Sequence, residues 1–248
     1  HLRRRVYPLP LINETLRKCN GYKFLTKLDI SMQYYTFELD EASKELCVIT
    51  TPFGKYRYNR LPMGISQSTD IAQEIMENTL SEFEDVEVYI DDIAIFSNDW
   101  ESHVATVKRV LQRLEEKGFT INPLKCEWAV QETDWLGFWL TPTGLKPWKK
   151  KVQAILDLAP PRNHTELRSF IGAITYYREM YPHRSHVMAP LTALTGKKTY
   201  QWSDECQQAF DKVKAMITHD VFIRYPDHNK VFHVYTDASD YQLGAVIM

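Results

Sequence analysis

Glycine is scarce in this chain, nine in 248 residues, which excludes collagen-like and glycine-rich low-complexity architecture. Cysteine is scarcer. Cys19, Cys47, Cys126 and Cys206 lie far apart, so no close pair offers a zinc site or a disulfide framework, and reduced thiols are expected. No uninterrupted apolar stretch approaches the roughly 20 residues that span a bilayer, so no membrane helix is expected. Nor is there an apolar leader behind His1-Leu2-Arg3-Arg4-Arg5. The lack of an initiator methionine and the apolar ending, Ala245-Val246-Ile247-Met248, give the expectation of a piece of something longer. What is present, 44% hydrophobic and 25% charged residues, describes a globular protein with one large domain or two modest ones.

Net charge is only −2, yet it is unevenly spread. Residues 81–101 hold eight acids and no lysine or arginine, whereas residues 141–200 hold ten lysines and arginines against three acids. That distribution suits a cation in one region and a polyanion in another; solvated faces are the simpler alternative.

Apolar positions at Leu11, Ile12, Leu16 and Cys19 give a short amphipathic segment closed by Asn20-Gly21. Strands are expected at Phe24–Ile30, Tyr35–Leu39 and Cys47–Thr50, and a helix from Ser66 bearing Ile71, Ala72, Ile75, Met76 and Leu80. Val86, Val88 and Ile90 alternate with polar residues, and Ile93 and Ile95 resume beyond Asp91-Asp92, which reads as a hairpin with carboxylates at its turn. A helix carrying Val104, Val107, Val110, Leu111 and Leu114 stops at Gly118, and Trp135–Leu140 looks like a strand pair. Beyond Pro147 the texture turns helical, with Asn163 and Ser203 as caps, before strands at Val231–Tyr235 and Gly244–Ile247.

Asp29 ends a hydrophobic strand candidate, so its carboxylate is aimed at a sheet edge. Were Asp91 and Asp92 to join it, three carboxylates would repel unless a divalent cation neutralised them. Hard oxygen donors favour Mg²⁺, and two such ions about 4 Å apart stabilise both the attacking and the leaving oxygens of a phosphoryl displacement. Simple solvation of adjacent acids is the competing interpretation. His183 and His186 lack a third ligand nearby, so no metal site is expected there.

Tyr89-Ile90-Asp91-Asp92, embedded in apolar strands, resembles the YxDD box of reverse transcriptases. Phe24–Ile30, with Tyr34 five residues after Asp29, resembles their first catalytic strand, and Leu61-Pro62-Met63-Gly64-Ile65-Ser66 the segment that meets the templating pair. Leu124-Lys125-Cys126-Glu127, Trp135-Leu136-Gly137, Leu167–Gly172 with Tyr176-Tyr177-Arg178, Pro190-Leu191-Thr192, Trp202-Ser203 and Thr236-Asp237-Ala238-Ser239 follow in order. Together they resemble the pol polyprotein of gypsy-type LTR retrotransposons over essentially the whole chain.

The resemblance implies an α+β fold: a right-hand polymerase palm with a ferredoxin-like antiparallel sheet, a helical thumb, and a truncated RNase H-like start. The implied division is palm with partial fingers at 1–140, thumb and connection at 141–200, and an incomplete RNase H-like part at 201–248. The implied activity is RNA- and DNA-directed DNA synthesis with two Mg²⁺ ions, Mn²⁺ being a substitute. Asp29, Asp91 and Asp92 would be the catalytic acids. Asp29 and Asp91 would hold the ions, with the Ile30 carbonyl and Asp92 assisting. Met32, Gln33, Tyr34, Met63 and Gly64 would form the dNTP pocket, with Tyr34 excluding a 2′-hydroxyl. Tyr89 and the primer-grip residues Trp135, Leu136, Gly137 and Phe138 would meet the primer, and Lys146, Lys149, Lys150 and Lys151 would track duplex phosphates. Asp237 would be the first metal-binding acid of an RNase H site whose other acids lie beyond the chain. The partners implied are an RNA template, a DNA primer–template duplex, dNTPs and the protease, RNase H and integrase parts of the polyprotein. The location implied is a cytoplasmic virus-like particle, or the nucleus.

The sequence departs from the family pattern at several places. Gln33 stands where a small residue is usual, Ser68-Thr69 where Ala-Pro is usual, and Ala72 where Phe is usual before Gln73. The family's basic N-terminal fingers would precede His1. A pararetroviral polymerase shares these motifs, and an inactive or domesticated copy that binds nucleic acid without polymerising is the alternative from another class.

Overall fold

The computed structural model describes residues 5–181, 184–196, 199–218, 221–225, 231–238 and 243–247. Helix α1 (Ile12–Lys18) ends at Cys19, and Gly21, at φ 73°, turns the chain into β1 (Phe24–Asp29). The strand expected at Tyr35–Leu39 does not form. Met32 is left-handed at φ 50°, and Gln33–Thr36 make a 3₁₀ turn that buries Gln33. Only an isolated bridge, Glu38 to Arg60, is extended pairing. The Leu61 N–H bonds the Phe37 carbonyl and the Leu39 N–H the Asn59 carbonyl, so tertiary partners override the β preference of Tyr35, Thr36 and Phe37.

Next comes α2 (Glu41–Leu46), whose cap Asp40 accepts from the Ser43 N–H at 2.8 Å, and an exposed hairpin, β2 (Val48–Thr51) and β3 (Gly54–Arg57). The expected amphipathic helix is α3 (Ser68–Leu80), with Ala72, Met76 and Leu80 inward. Strands β4 (Val86–Tyr89) and β5 (Asp92–Ser97) form the hairpin, and α4 (Trp100–Glu116) follows, capped by Asp99 and closed at Gly118, φ 75°. After β6 (Glu127–Val130) come β7 (Thr133–Trp135), β8 (Phe138–Thr141) and β9 (Gly144–Pro147). The helical stretch holds α5 (Lys149–Leu156), α6 (His164–Tyr176), α7 (Arg184–Ala193) and α8 (Asp204–Thr218). Asn163 and Ser203 cap α6 and α8, as their spacing requires. The chain closes with β10 (Ile223–Arg224), β11 (Val234–Ala238) and β12 (Leu243–Ile247).

Two sheets organise the molecule. One is antiparallel in the order β4-β5-β1-β6, with Leu28, Ile30, Val86, Val88, Ile93 and Ile95 packed on Met76 and Leu80 of α3 and Val110 and Leu114 of α4. The other runs β10-β9-β8-β7 and packs, through Trp135, Phe138, Leu140 and Leu145, on Leu167, Phe170 and Ile174 of α6 and Phe210 and Val213 of α8. Helices on antiparallel sheets of this kind are the expected α+β architecture. Among the described residues no helix is long and apolar enough to cross a membrane.

Candidate active site

The β4–β5 turn is as short as a hairpin allows. Tyr89 pairs with Asp92, leaving only Ile90 and Asp91 as the loop. Of the two, Ile90 alone has a positive φ, 56°, the pattern of a type II′ turn. A β-branched residue there is strained, so its surroundings must hold it. Buried Gln73 of α3 accepts from the Ile90 N–H at 2.6 Å and donates to the Val88 carbonyl at 3.0 Å and to Glu77 at 2.7 Å. Buried Gln33 donates to the Ile90 carbonyl at 2.8 Å. The Asp91 carbonyl accepts from the Ile30 N–H at 3.1 Å.

Register then gathers the acids. Asp29, last in β1, pairs directly with Asp92, first in β5, and Asp91 lies exposed at the tip between. Asp92 is half-buried, and its carboxyl is pushed up to about 6, first by burial and then by the Asp91 carboxylate, with Asp29 and Asp134 adding and Lys27 opposing. Lys27 is itself tied to Glu127 at 2.6 Å. Asp29 has a cationic neighbour, the exposed Lys125, whose Nζ lies 3.4 Å from Oδ2. Among the described residues no three acid, histidine or cysteine side chains are grouped closely enough to hold a metal ion as they stand.

Beside the acids, Tyr34 is half-buried with its hydroxyl 3.5 Å from Thr69 Oγ1. Met32 and Met63 are exposed, and Gly64 has φ 89°. The Ile30 side chain is buried in the core.

A second tight turn joins β7 and β8. Trp135 pairs with Phe138, and Leu136 and Gly137 have φ 47° and 77°, the I′ pattern. The Trp135 and Phe138 side chains are buried, so this segment offers a ligand its backbone and its Leu136–Gly137 tip. Two tyrosines from the end of α6 reach that tip. Tyr176 donates to the Leu136 carbonyl at 2.5 Å and Tyr177 to the Gly137 carbonyl at 2.7 Å, while Phe138 stacks on Tyr176. A Cβ on Gly137 would stand 2.9 Å from the Tyr176 hydroxyl oxygen, so a larger residue would push that ring aside as well as strain the φ of 77°. Burial raises the Tyr176 phenol, and Tyr89 adds in the same direction.

Farther out, Lys149, Lys150 and Lys151 are exposed at the start of α5, with Lys150 over the Trp148 ring at 5.4 Å, and Lys146 lies over Phe222 at 5.9 Å. Asp237 lies in β11, opposite Gly244 of β12, its side chain outside the described residues, as are Pro182, His183 and Ser239. Sequence reading missed the parts played by Gln73, Lys125, Tyr176 and Tyr177. All four stood inside motifs, but their partners are distant in the chain.

A family model described as reverse transcriptase (RNA-dependent DNA polymerase) matches residues 3–140. One described as an RNase H-like domain found in reverse transcriptase matches residues 202–248. The retrovirus-related Pol polyprotein from transposon 297 of Drosophila melanogaster is 33% identical over 245 residues, covering 97% of this chain and 23% of that protein. The transposon Tf2-3 polyprotein of Schizosaccharomyces pombe is 31% identical over 250 residues, covering 100% of this chain and 19% of that protein. The chain thus spans about a fifth of the length of these relatives. The foamy viral protease-reverse transcriptase dRH, solved in complex with double-stranded DNA, superposes with a TM-score of 0.88 at 21% identity, covering 96% of this chain and 43% of that one. The same viral enzyme in complex with an RNA/DNA hybrid gives 0.82 at 20% identity, covering 96% of this chain and 32% of that one. At that identity the likeness is one of fold.

Proposed function

Because the chain belongs to the reverse transcriptase (RNA-dependent DNA polymerase) family, we propose that it carries the palm and thumb of a retroelement polymerase that copies RNA and DNA templates. The observation that carries this reading is the in-register pairing of Asp29 with Asp92 at the mouth of the tight Tyr89–Asp92 turn, which gathers three carboxylates at one sheet edge.

Their chemistry suits divalent ions. All three are hard oxygen donors, and Asp92 is raised to about 6, first by burial and then by its acidic neighbours, with Lys27 opposing. Asp29, Asp91 and Asp92, with the Ile30 carbonyl, would hold Mg²⁺, or Mn²⁺ in its place. Bound there, the ions supply charge neutralisation at the attacking 3′-hydroxyl and the departing pyrophosphate. Lys125 balances Asp29 until then. The chain's own work is positioning. The Met32–Tyr34 backbone and the Met63-Gly64 segment receive the triphosphate and base of a dNTP, and the Tyr34 ring beside Thr69 fills the space of a 2′-hydroxyl. Tyr89 and the Leu136–Gly137 tip hold the primer end. Lys146 and Lys149–Lys151 follow the phosphates of the template–primer duplex, a kind of ligand found on the foamy viral enzyme. The division proposed is palm at 1–140, thumb at 141–200 and RNase H-like part at 201–248, with Asp237 an acid of the last and the other polyprotein domains as neighbours in a virus-like particle.

Primer extension on an RNA template, with Mg²⁺ and dNTPs, tests the reading. The chain extends the primer and Asp91→Asn does not. Template–primer binding by the chain with no extension at any Mg²⁺ concentration overturns it in favour of a copy that only binds nucleic acid.

A further inference from the structure

Position 33 is where this chain carries an amide in place of a small residue, and the amide is turned inward, 2% exposed. Its Nε2 reaches across 57 residues to the carbonyl of Ile90. That carbonyl belongs to the peptide unit joining Ile90 to Asp91. The preceding unit is held through the Ile90 N–H by Gln73, and the following one through the Asp91 carbonyl by the Ile30 N–H. Three successive peptide planes are therefore pinned from three different places in the fold. Gln33 pins the middle one, on which the direction of the Asp91 side chain depends.

The bond has a cost that a small residue would avoid. Gln33 Oε1 is buried without a hydrogen-bond partner, and turning the amide round would set that oxygen against the Ile90 carbonyl. Packing alone gives no reason for an amide over an apolar side chain of the same length. Gln33 also lies four residues beyond Asp29, on a segment fixed by the left-handed Met32, so its amide ties the segment carrying one acid to the turn carrying another.

We infer that Gln33 is a positioning residue for the acid site, its amide setting the Ile90–Asp91 peptide plane and thereby the spacing of Asp91 from Asp29. This rests on the polymerase reading of those acids. The probe is Mn²⁺, counted by the electron paramagnetic resonance of the free ion, on the chain, Gln33→Met and Asp91→Asn, with primer extension alongside. In Gln33→Met, Mn²⁺ affinity and kcat each fall about tenfold, as supporting hydrogen bonds around metal ligands commonly give, while the circular dichroism stays that of the folded parent. Parental Mn²⁺ affinity and kcat in folded Gln33→Met, with Asp91→Asn still inactive, overturn the brace and leave the polymerase reading standing. Asp91→Asn that binds Mn²⁺ and extends primers like the parent takes both down. Should Gln33→Met fail to fold, Gln33→Ala, which removes the amide without adding bulk, is judged by the same two results.

Discussion

The turn at Ile90-Asp91 and the turn at Leu136-Gly137 solve one problem with different chemistry. Both are two-residue loops with a positive φ on a residue other than glycine, and both are braced by side chains from distant segments. At Leu136-Gly137 one of the two strained positions is glycine, and the braces are phenols that each give a single bond to a carbonyl. At Ile90-Asp91 the strained residue is β-branched, no glycine relieves it, and the braces are amides that hold N–H and carbonyl alike. An amide both donates and accepts, so it can fix a peptide on two sides; a phenol pressed on a carbonyl can only donate. The difference suits the work proposed for each: a turn that carries charged ligands tolerates less movement than one that presents backbone to a primer.

Breaking the stronger brace is the sharpest test of that contrast. Gln73→Leu strips the partners of the Ile90 N–H and the Val88 carbonyl together, and urea unfolding is expected to show a loss of about 3 kcal/mol. Tyr177→Phe keeps the ring and removes one bond, so the expected loss is about 1 kcal/mol. Equal losses in the two variants would erase the distinction. The smallest effect concerns pH. Neither amides nor raised phenols titrate near neutrality, and Asp92, raised to about 6, binds its proton more readily folded than unfolded and so adds stability as pH falls; acid sensitivity is expected from the other end of the sheet. There His103, buried between Thr26 and Ser97, is held below its ordinary 6.5 by burial. Its unfolded form binds the proton more readily, so the group's contribution to stability is lost as pH falls below about 6.5. His103→Gln is expected to flatten that slope in urea midpoints measured at pH 7 and pH 5.5.

Much of this was legible in the sequence. Val86, Val88, Ile93 and Ile95 announce the hairpin by their alternation, and Asn163 and Ser203 announce α6 and α8 by their spacing, because those signals act over a few residues. The acids at the strand ends were legible for the same reason. The segment after Met32 was not. Tyr35, Thr36 and Phe37 carry strand preference, but a left-handed residue and bonds to residues 59–61 set the backbone instead. Nor were the braces. Gln33, Gln73 and Tyr177 are ordinary polar residues in sequence, and their parts exist only because register brings partners 57, 17 and 40 residues away. Gln33, noted as a departure, is the residue whose consequence sequence could least foresee.

Helix α5 opens on Lys149, Lys150 and Lys151 with no acid in its first turn. Positive charge there opposes the helix dipole, and the three ammonium groups repel one another. Ionic strength therefore acts on this segment with opposite signs in its two circumstances. Added salt screens the repulsion and firms the helix while the chain is free, yet would loosen the hold proposed for the same lysines on a polyanion. In the proposed complex a phosphate backbone would do what salt does for the helix, from one side only and in a fixed place, and order at the start of α5 would report whether that surface is loaded.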